Sequence, residues 1–123
     1  NFELSKNSYG VAGTYEANIE GFRVEIPEHI FSEERIKFAE NVIRDYPKRL
    51  WDLASFCKKS DCFQIFYPDE TVESIMNKLY TPIVKIDSVG GMFTYSNHEF
   101  DKKHLIDIEF DGSIEDFFSV DVV

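Results

Sequence analysis

The sequence has little cysteine and no long apolar run, and each shortage excludes a class of protein. Its two cysteines, Cys57 and Cys62, are too few for a disulfide framework, and their spacing matches no zinc motif. We expect reduced thiols, with a disulfide as the alternative if the chain turns back between them. No apolar stretch approaches the roughly 18 residues that span a bilayer. These shortages favour a cytoplasmic protein without a membrane segment.

Basic residues are also scarce. The 123 residues include 23 Asp and Glu but 13 Lys and Arg, which gives a net charge of −10. Residues 63–123 contain 12 acids and 4 bases, whereas residues 1–62 contain 11 acids and 9 bases. Nucleic acids and anionic membranes are poor partners for a chain of this charge, and a basic protein is a favourable one.

One segment has the opposite balance, because residues 35–59 contain seven bases and three acids. Arg44, Lys48 and Arg49, with Arg35 and Lys37, could mark a helix that binds nucleic acid. The field of the whole chain opposes that interpretation. We favour a solvated helical face whose bases pair with acids of the same chain.

The apolar content is that of a folded protein. Hydrophobic residues make up 43% of the chain and aromatic residues 15%, with twelve Phe and six Tyr. A chain of this length can bury a core without covalent staples. We therefore expect one domain that spans residues 1–123.

Two segments in the first half have clear periodicity. Residues 13–26 alternate with period two on both sides of Glu20-Gly21, which predicts a β-hairpin. Ser32 can cap a helix, and a stripe at steps of three and four follows it. Pro47 interrupts the stripe, so we expect either two helices or one helix with a kink at Tyr46-Pro47. The stripe consists of Ile36, Ala39, Ile43, Tyr46, Leu50, Leu53 and Cys57, and Trp51 and Phe56 widen it.

The second half is rich in predicted strands. "DCFQIFY" is typical of a short strand, and Asp69 then caps a helix that ends near Leu79. "PIVKID", "GMFTYS", "HLIDIEF" and "DFFSVDV" predict four strands, with turns at Gly90-Gly91 and Asp111-Gly112. This order predicts an α+β fold. An antiparallel β-sheet, made of an N-terminal hairpin and a C-terminal meander, is packed on one face by two or three helices.

The alternating strands predict an acidic outward face. If Phe110 lies opposite Phe118, then Asp107 lies opposite Asp121, and like charges in that position destabilise a sheet. They are tolerated in water, beside a cation, or where a partner neutralises them. The outward positions are Glu16, Asn18, Arg23, Glu25, Lys85, Asp87, Asp107, Glu109 and Asp121.

Residues 97–112, "NHEFDKKHLIDIEFDG", contain the groups that a metal or catalytic site would use. His98, Glu99, Asp101 and His104 could serve a small metal-dependent hydrolase, which is the alternative function. Their spacing matches neither H-E-x-x-H nor D-x-D-x-D-G, and the chain has no G-x-S-x-G or P-loop motif. We favour a solvated loop, and expect no metal, no cofactor and no catalytic residue.

The last two strands also carry a resemblance. His104-apolar-apolar-Asp-apolar-Glu-Phe110-Asp111-Gly112, followed by Phe118-Ser-Val120-Asp, resembles small acidic bacterial domains in pattern and in element order. Several such domains are immunity proteins of polymorphic or contact-dependent toxin systems. The resemblance implies a binding role and carries over no catalytic motif.

The leading hypothesis is a non-catalytic, immunity-type inhibitor. Its acidic surface would occlude a basic, nuclease-like toxin domain, with long-range charge speeding the encounter. A self-associating adaptor that uses the last strand as an exposed edge is a further alternative. The predicted contacts are Asp69, Glu70, Glu73, Tyr95, Asp107, Glu109, Asp111, Glu115, Asp116, Phe117 and Asp121, with the two aromatic residues as anchors.

Overall fold

A computed structural model gives the fold and describes residues 1–6 and 13–123. The described residues form seven strands, three α-helices and one short 3₁₀ helix. No helix within them is both long enough and apolar enough for a membrane span. In chain order they are β1 (Glu3–Lys6), β2 (Gly13–Ile19), β3 (Phe22–Pro27), the 3₁₀ helix (Glu28–Ile30), α1 (Glu33–Lys59), α2 (Asp61–Phe66), α3 (Val72–Leu79), β4 (Ile83–Ile86), β5 (Gly90–Tyr95), β6 (Ile106–Asp111) and β7 (Asp116–Val122).

The strands form one sheet in sequential order from β1 to β7. Neighbouring strands are antiparallel except β3 and β4, which are parallel. A parallel pair needs a long crossover connection, and the three helices supply it. The fold is therefore α+β, with an N-terminal hairpin and a C-terminal meander, as the sequence predicts.

One face of the sheet is covered by helices and forms the core. Burial alternates along β3, β4 and β6, so the apolar side chains on this face meet the buried stripe of α1. Each such side chain contributes about 1.5–3 kcal/mol when fully buried. The strand residues of the core are Val24, Ile26, Val84, Ile86, Phe93, Tyr95, Ile106, Ile108, Phe110, Val120 and Val122.

The long helix continues through Pro47 as a single element. It begins as predicted, because Ser32 Oγ accepts a hydrogen bond of 3.1 Å from the N–H of Arg35. An interior proline costs about 3 kcal/mol, because it lacks an N–H group and crowds the preceding turn. Buried residues on both sides of Pro47, among them Tyr46 and Leu53, keep the two halves packed on the same sheet.

Three local predictions are wrong. "DCFQIFY" forms helix α2 and not a strand, because a short apolar run has no periodicity that separates the two. Thr71 caps α3 in place of Asp69, through reciprocal hydrogen bonds with Ser74. Gly90 lies inside β5 and not in the turn. A side chain there would meet the carbonyl oxygen of Phe110 on the neighbouring strand.

Candidate protein-binding surface

The second face of the sheet, here called the outer face, lies opposite the helices. Its side chains come from the positions that alternate with the core residues. The strand register aligns them in rows, so that Glu16, Glu25, Lys85, Met92 and Glu109 follow one another from β2 to β6. The outer face therefore brings together charges from residues that are far apart in the sequence.

At the β2–β3 end, the outer face is neutralised by one base. Arg23 Nη2 lies 2.8 Å from Glu16 Oε1, and Arg23 Nε lies 3.1 Å from Glu25 Oε2. The two glutamates are direct cross-strand partners. We call Glu16, Arg23 and Glu25 the Arg23 cluster. It removes the repulsion that two facing carboxylates would otherwise create.

At the β6–β7 end, acids face acids. Asp107 lies opposite Asp121, as predicted, and Asp111 lies opposite Asp116. Strands β4 to β7 contain one base, Lys85, and its cross-strand partners are Glu25 and Met92. We call six carboxylates the acidic hairpin, and none of them forms a salt bridge with any residue that the structure describes: Asp107, Glu109, Asp111, Glu115, Asp116 and Asp121.

Hydroxyl groups position two carboxylates of the acidic hairpin. Thr94 Oγ1 donates a hydrogen bond of 2.7 Å to Asp107 Oδ1, and Ser119 Oγ donates one of 2.9 Å to Glu109 Oε1. A hydroxyl donor orients a carboxylate without cancelling its charge. These acids are therefore held in fixed positions with their negative charge available to a partner.

The register shifts between Glu109 and Phe110 through a bulge in β7. Phe110 lies opposite Phe117, and not opposite Phe118 as predicted. Phe118 is consequently 53% exposed instead of pointing into the core. The extra residue of a bulge is left unpaired, and its side chain is redirected. The bulge also sets the second acid pair, because Asp116 becomes the partner of Asp111.

The two predicted aromatic anchors are not equivalent. Tyr95 is fully buried, and its hydroxyl lies 2.6 Å from the hydroxyl of Tyr46. Burial raises the pKa of Tyr95 well above its ordinary value. Tyr95 is therefore a core residue that a partner does not reach, which corrects the prediction. Phe117 is half-buried, and its ring packs against Phe56.

Arg49 fixes the turn that presents Glu115 and Asp116. Its guanidinium donates to the carbonyl oxygens of Ile114 at 2.9 Å and Glu115 at 3.0 Å, and lies over the ring of Phe117. Ile114 has a φ of 52°, which is strained for a β-branched residue. The sequence suggested only a solvated base at Arg49, and the 65 residues that separate it from Ile114 gave no signal of this contact.

The acids of the α3 region do not join the acidic hairpin, because α3 packs on α1 in the helical layer. Glu70 lies 2.8 Å from Lys78 Nζ and accepts a hydrogen bond from Ser74 Oγ. Desolvation raises the pKa of Glu70, but these two hydrogen bonds and the positive charges of Lys78 and Lys58 outweigh it and lower the pKa overall. Asp69 and Glu73 are exposed, and they form no salt bridge within the described ranges.

The loop of residues 98–104 is held in place by hydrogen bonds to its own histidines. His98 is buried, its Nε2 lies 2.6 Å from the carbonyl oxygen of His104, and its Nδ1 accepts from the N–H of Phe100. Both ring nitrogens are therefore occupied. Among residues 1–6 and 13–123, no group of three or more His, Cys, Asp or Glu side chains could hold a metal ion.

Asp101 is the acceptor at the centre of this loop. It receives hydrogen bonds from Tyr67 Oη at 2.6 Å, from the N–H groups of Lys103 and His104, and pairs with His104 Nδ1 at 2.8 Å. Desolvation raises the pKa of Asp101, but these hydrogen bonds outweigh it and hold the pKa well below its usual range. The Asp101 carboxylate therefore holds the loop of residues 98–104 against Tyr67.

The remaining predictions concern the two cysteines and Trp51. Cys57 and Cys62 are free thiols, and burial raises the pKa of Cys57 to about 12, which makes it a poor nucleophile. Trp51 is 50% exposed, although the sequence assigned it to the apolar stripe.

No family model, no curated protein and no solved structure matches the chain.

Proposed function

We propose that this protein is a non-catalytic binding module that inhibits a basic protein partner by covering its surface with the acidic hairpin. The observation that carries the proposal is the pair of like-charged contacts, Asp107 with Asp121 and Asp111 with Asp116. Facing carboxylates weaken a sheet. Their cost is recovered when a partner supplies the bases that this end of the sheet lacks.

Charge and position favour a nuclease-like toxin domain as the partner. An enzyme that acts on nucleic acid needs a basic cleft, and a fixed array of carboxylates can occupy such a cleft in place of phosphates. The net charge of −10 also speeds the encounter by steering. This is the mode of action of an immunity-type inhibitor. The proposal places it in the cytoplasm, which the two free thiols support.

Specific observations disfavour the two alternatives. A metal-dependent hydrolase in the His98–His104 region would need free ligand atoms, whereas both ring nitrogens of His98 and the carboxylate of Asp101 are engaged in hydrogen bonds. A self-associating adaptor would pair β7 with a second copy of β7. That pairing would add the Asp116 and Asp121 of a second copy to an edge that already carries the same two acids.

The test is capture of partners from a lysate of the source cell at low and high salt, with proteins identified by mass spectrometry. Two double variants with the same net charge are compared with the wild type. D107N/D121N neutralises two acids of the acidic hairpin, and E16Q/E25Q neutralises the same number of acids in the Arg23 cluster. We expect the wild type to capture a basic protein at low salt and to capture less of it at high salt. Of the two variants, only D107N/D121N should lose this capture. If both variants lose capture of the basic protein equally, the acidic hairpin is not its specific binding surface.

A further inference from the structure

The middle of the outer face carries two apolar side chains beside one base, Lys85, which is the cross-strand partner of Met92. Ile83 and Met92 occupy outward positions of β4 and β5, and both are half-buried. Their inward neighbours Val84 and Phe93 belong to the core, whereas Ile83 and Met92 do not appear in the core cluster of the described residues. Thr94, the cross-strand partner of Ile83, is 2% exposed and donates its hydroxyl to Asp107, so it offers no apolar contact to a partner. Ile83 and Met92 are here called the apolar strip.

The apolar strip lies directly beside the acidic hairpin. Met92 is the cross-strand partner of Glu109, and Thr94 is the partner of Asp107. Side chains that face each other across two strands lie roughly 5 Å apart. An apolar centre bordered by charged side chains is the arrangement found in protein interfaces, and methionine adapts to varied partners.

The spacing of the acids restricts what can lie on them. Asp107, Glu109 and Asp111 alternate along β6, so neighbouring members are roughly 6.8 Å apart along the strand. Residues i, i+4 and i+8 of an α-helix recur every 6 Å or so along its axis. A helix is about 10 Å wide, so one that lies along β6 also reaches β5 and β7.

Building on the proposed function, we infer that the binding element of the partner is an amphipathic α-helix that lies along β6. Its Lys or Arg side chains at i, i+4 and i+8 face the acidic hairpin, and apolar side chains on its flank contact the apolar strip. An extended segment would pair its N–H and C=O groups with an edge strand such as β7, and would not lie across the outer face, which offers side chains. A helix satisfies these groups internally.

The test uses three synthetic peptides of identical composition, titrated into the ¹⁵N-labelled full chain at low and high salt. The first is a helix with Lys at i, i+4 and i+8 and Leu on one flank. The second is a helix with the same residues distributed around all sides. The third has the same pattern as the first, but a proline at its centre breaks the helix. The other two peptides carry that proline at one end in place of an alanine, so that all three have the same composition.

We expect the first peptide to bind and to shift the amide signals of Met92, Glu109 and Asp121. The other two should bind at least tenfold more weakly. Met92→Gln should weaken the first peptide on the order of tenfold, because a buried methionine contact is lost. The matched control Val89→Gln removes an exposed apolar side chain outside the apolar strip and should leave binding unchanged.

Two results would overturn the inference. Equal binding of the three peptides would show that charge alone is recognised, and signals that shift on the helical side would place the contact elsewhere. The proposed function is judged separately by the D107N/D121N capture. If that capture depends on the acidic hairpin while the patterned helix fails to bind, the helix is wrong and the inhibitor stands.

Discussion

The two ends of the outer face solve the same electrostatic problem in opposite ways. At the β2–β3 end, Glu16 and Glu25 face each other and share Arg23. At the β6–β7 end, Asp107 and Asp121 face each other without a base. The same sheet thus contains a neutralised acid pair and an uncompensated one. Acids at the first end are compensated within the fold, whereas acids at the second end are not, and the proposed function assigns the latter to a partner.

The largest expected effect is on affinity for the captured partner. D107K/D121K reverses two charges of the acidic hairpin and should reduce affinity on the order of 100-fold at low salt, because two favourable charge pairs become repulsive. The matched double variant E16K/E25K changes net charge equally in the Arg23 cluster and should reduce affinity far less. Isothermal titration calorimetry measures both. Similar losses would show that only net charge matters.

A second prediction compares how Asp101, which accepts several hydrogen bonds, and Asp121, which lies opposite another carboxylate, contribute to the free energy of unfolding. Asp101→Asn should lower the free energy of unfolding by about 2 kcal/mol at neutral pH, because the charged acceptor of Tyr67 and His104 is lost. Asp121→Asn should not lower it. Urea denaturation of both variants measures the difference. Equal destabilisation would remove the distinction between the two kinds of acid.

The Asp101 effect should depend on pH with a definite sign. The folded-state pKa of Asp101 lies below the unfolded value of about 3.9, so the stabilisation is present above that value and is lost as pH falls through the folded-state pKa. The gap between wild type and Asp101→Asn should therefore narrow on acidification below about pH 4. A gap that stays constant down to the acid limit would contradict the role of the charged carboxylate.

A third prediction concerns the stability of the acidic hairpin itself. Asp121→Lys converts a like-charged cross-strand pair with Asp107 into an opposite one. It should raise the free energy of unfolding by about 0.5–1 kcal/mol. Thermal and urea unfolding, followed by circular dichroism, measure the change. A decrease would mean that Asp121 stabilises the hairpin and is not held for a partner.

The smallest effect is expected at the other end. Arg23→Gln leaves Glu16 and Glu25 facing each other without a base and should lower stability by about 0.5 kcal/mol, because exposed ion pairs contribute little. The same unfolding experiments measure it, and the loss should shrink in high salt. Opposite signs for Arg23→Gln and Asp121→Lys would establish the contrast between the two ends.

Several features could be predicted because they depend on short-range patterns. The period-two alternation on both sides of Glu20-Gly21 defines the first hairpin, and both turn residues adopt the positive φ that such a turn needs. The alternation of β6 and β7 puts Asp107 and Asp121 on the same face, as predicted, but the register of the turn alone would place Asp107 opposite Val120, and the bulge at Phe118 brings it opposite Asp121. The burial of Tyr95 could also have been predicted, because Tyr95 is two residues from Phe93 in β5 and therefore lies on the same, buried face.

Other features depend on contacts between distant segments. The bulge that exposes Phe118 arises from how β7 pairs with β6, and no residue pattern in "DFFSVDV" announces it. The role of Arg49 depends on a turn 65 residues away. The burial of His98 depends on carbonyl and N–H groups that only the folded loop brings to its ring.

The sequence by itself determined which side chains alternate, which segments turn and how many acids the second half contains. Only the tertiary structure decided which of those acids are neutralised, since the energy of a charge pair depends on the distance that folding creates. Strand pairing brought Arg23 between two glutamates and brought Asp107 to Asp121. The helical layer then covered one face of the sheet and left the other, with its acidic hairpin and apolar strip, facing outward.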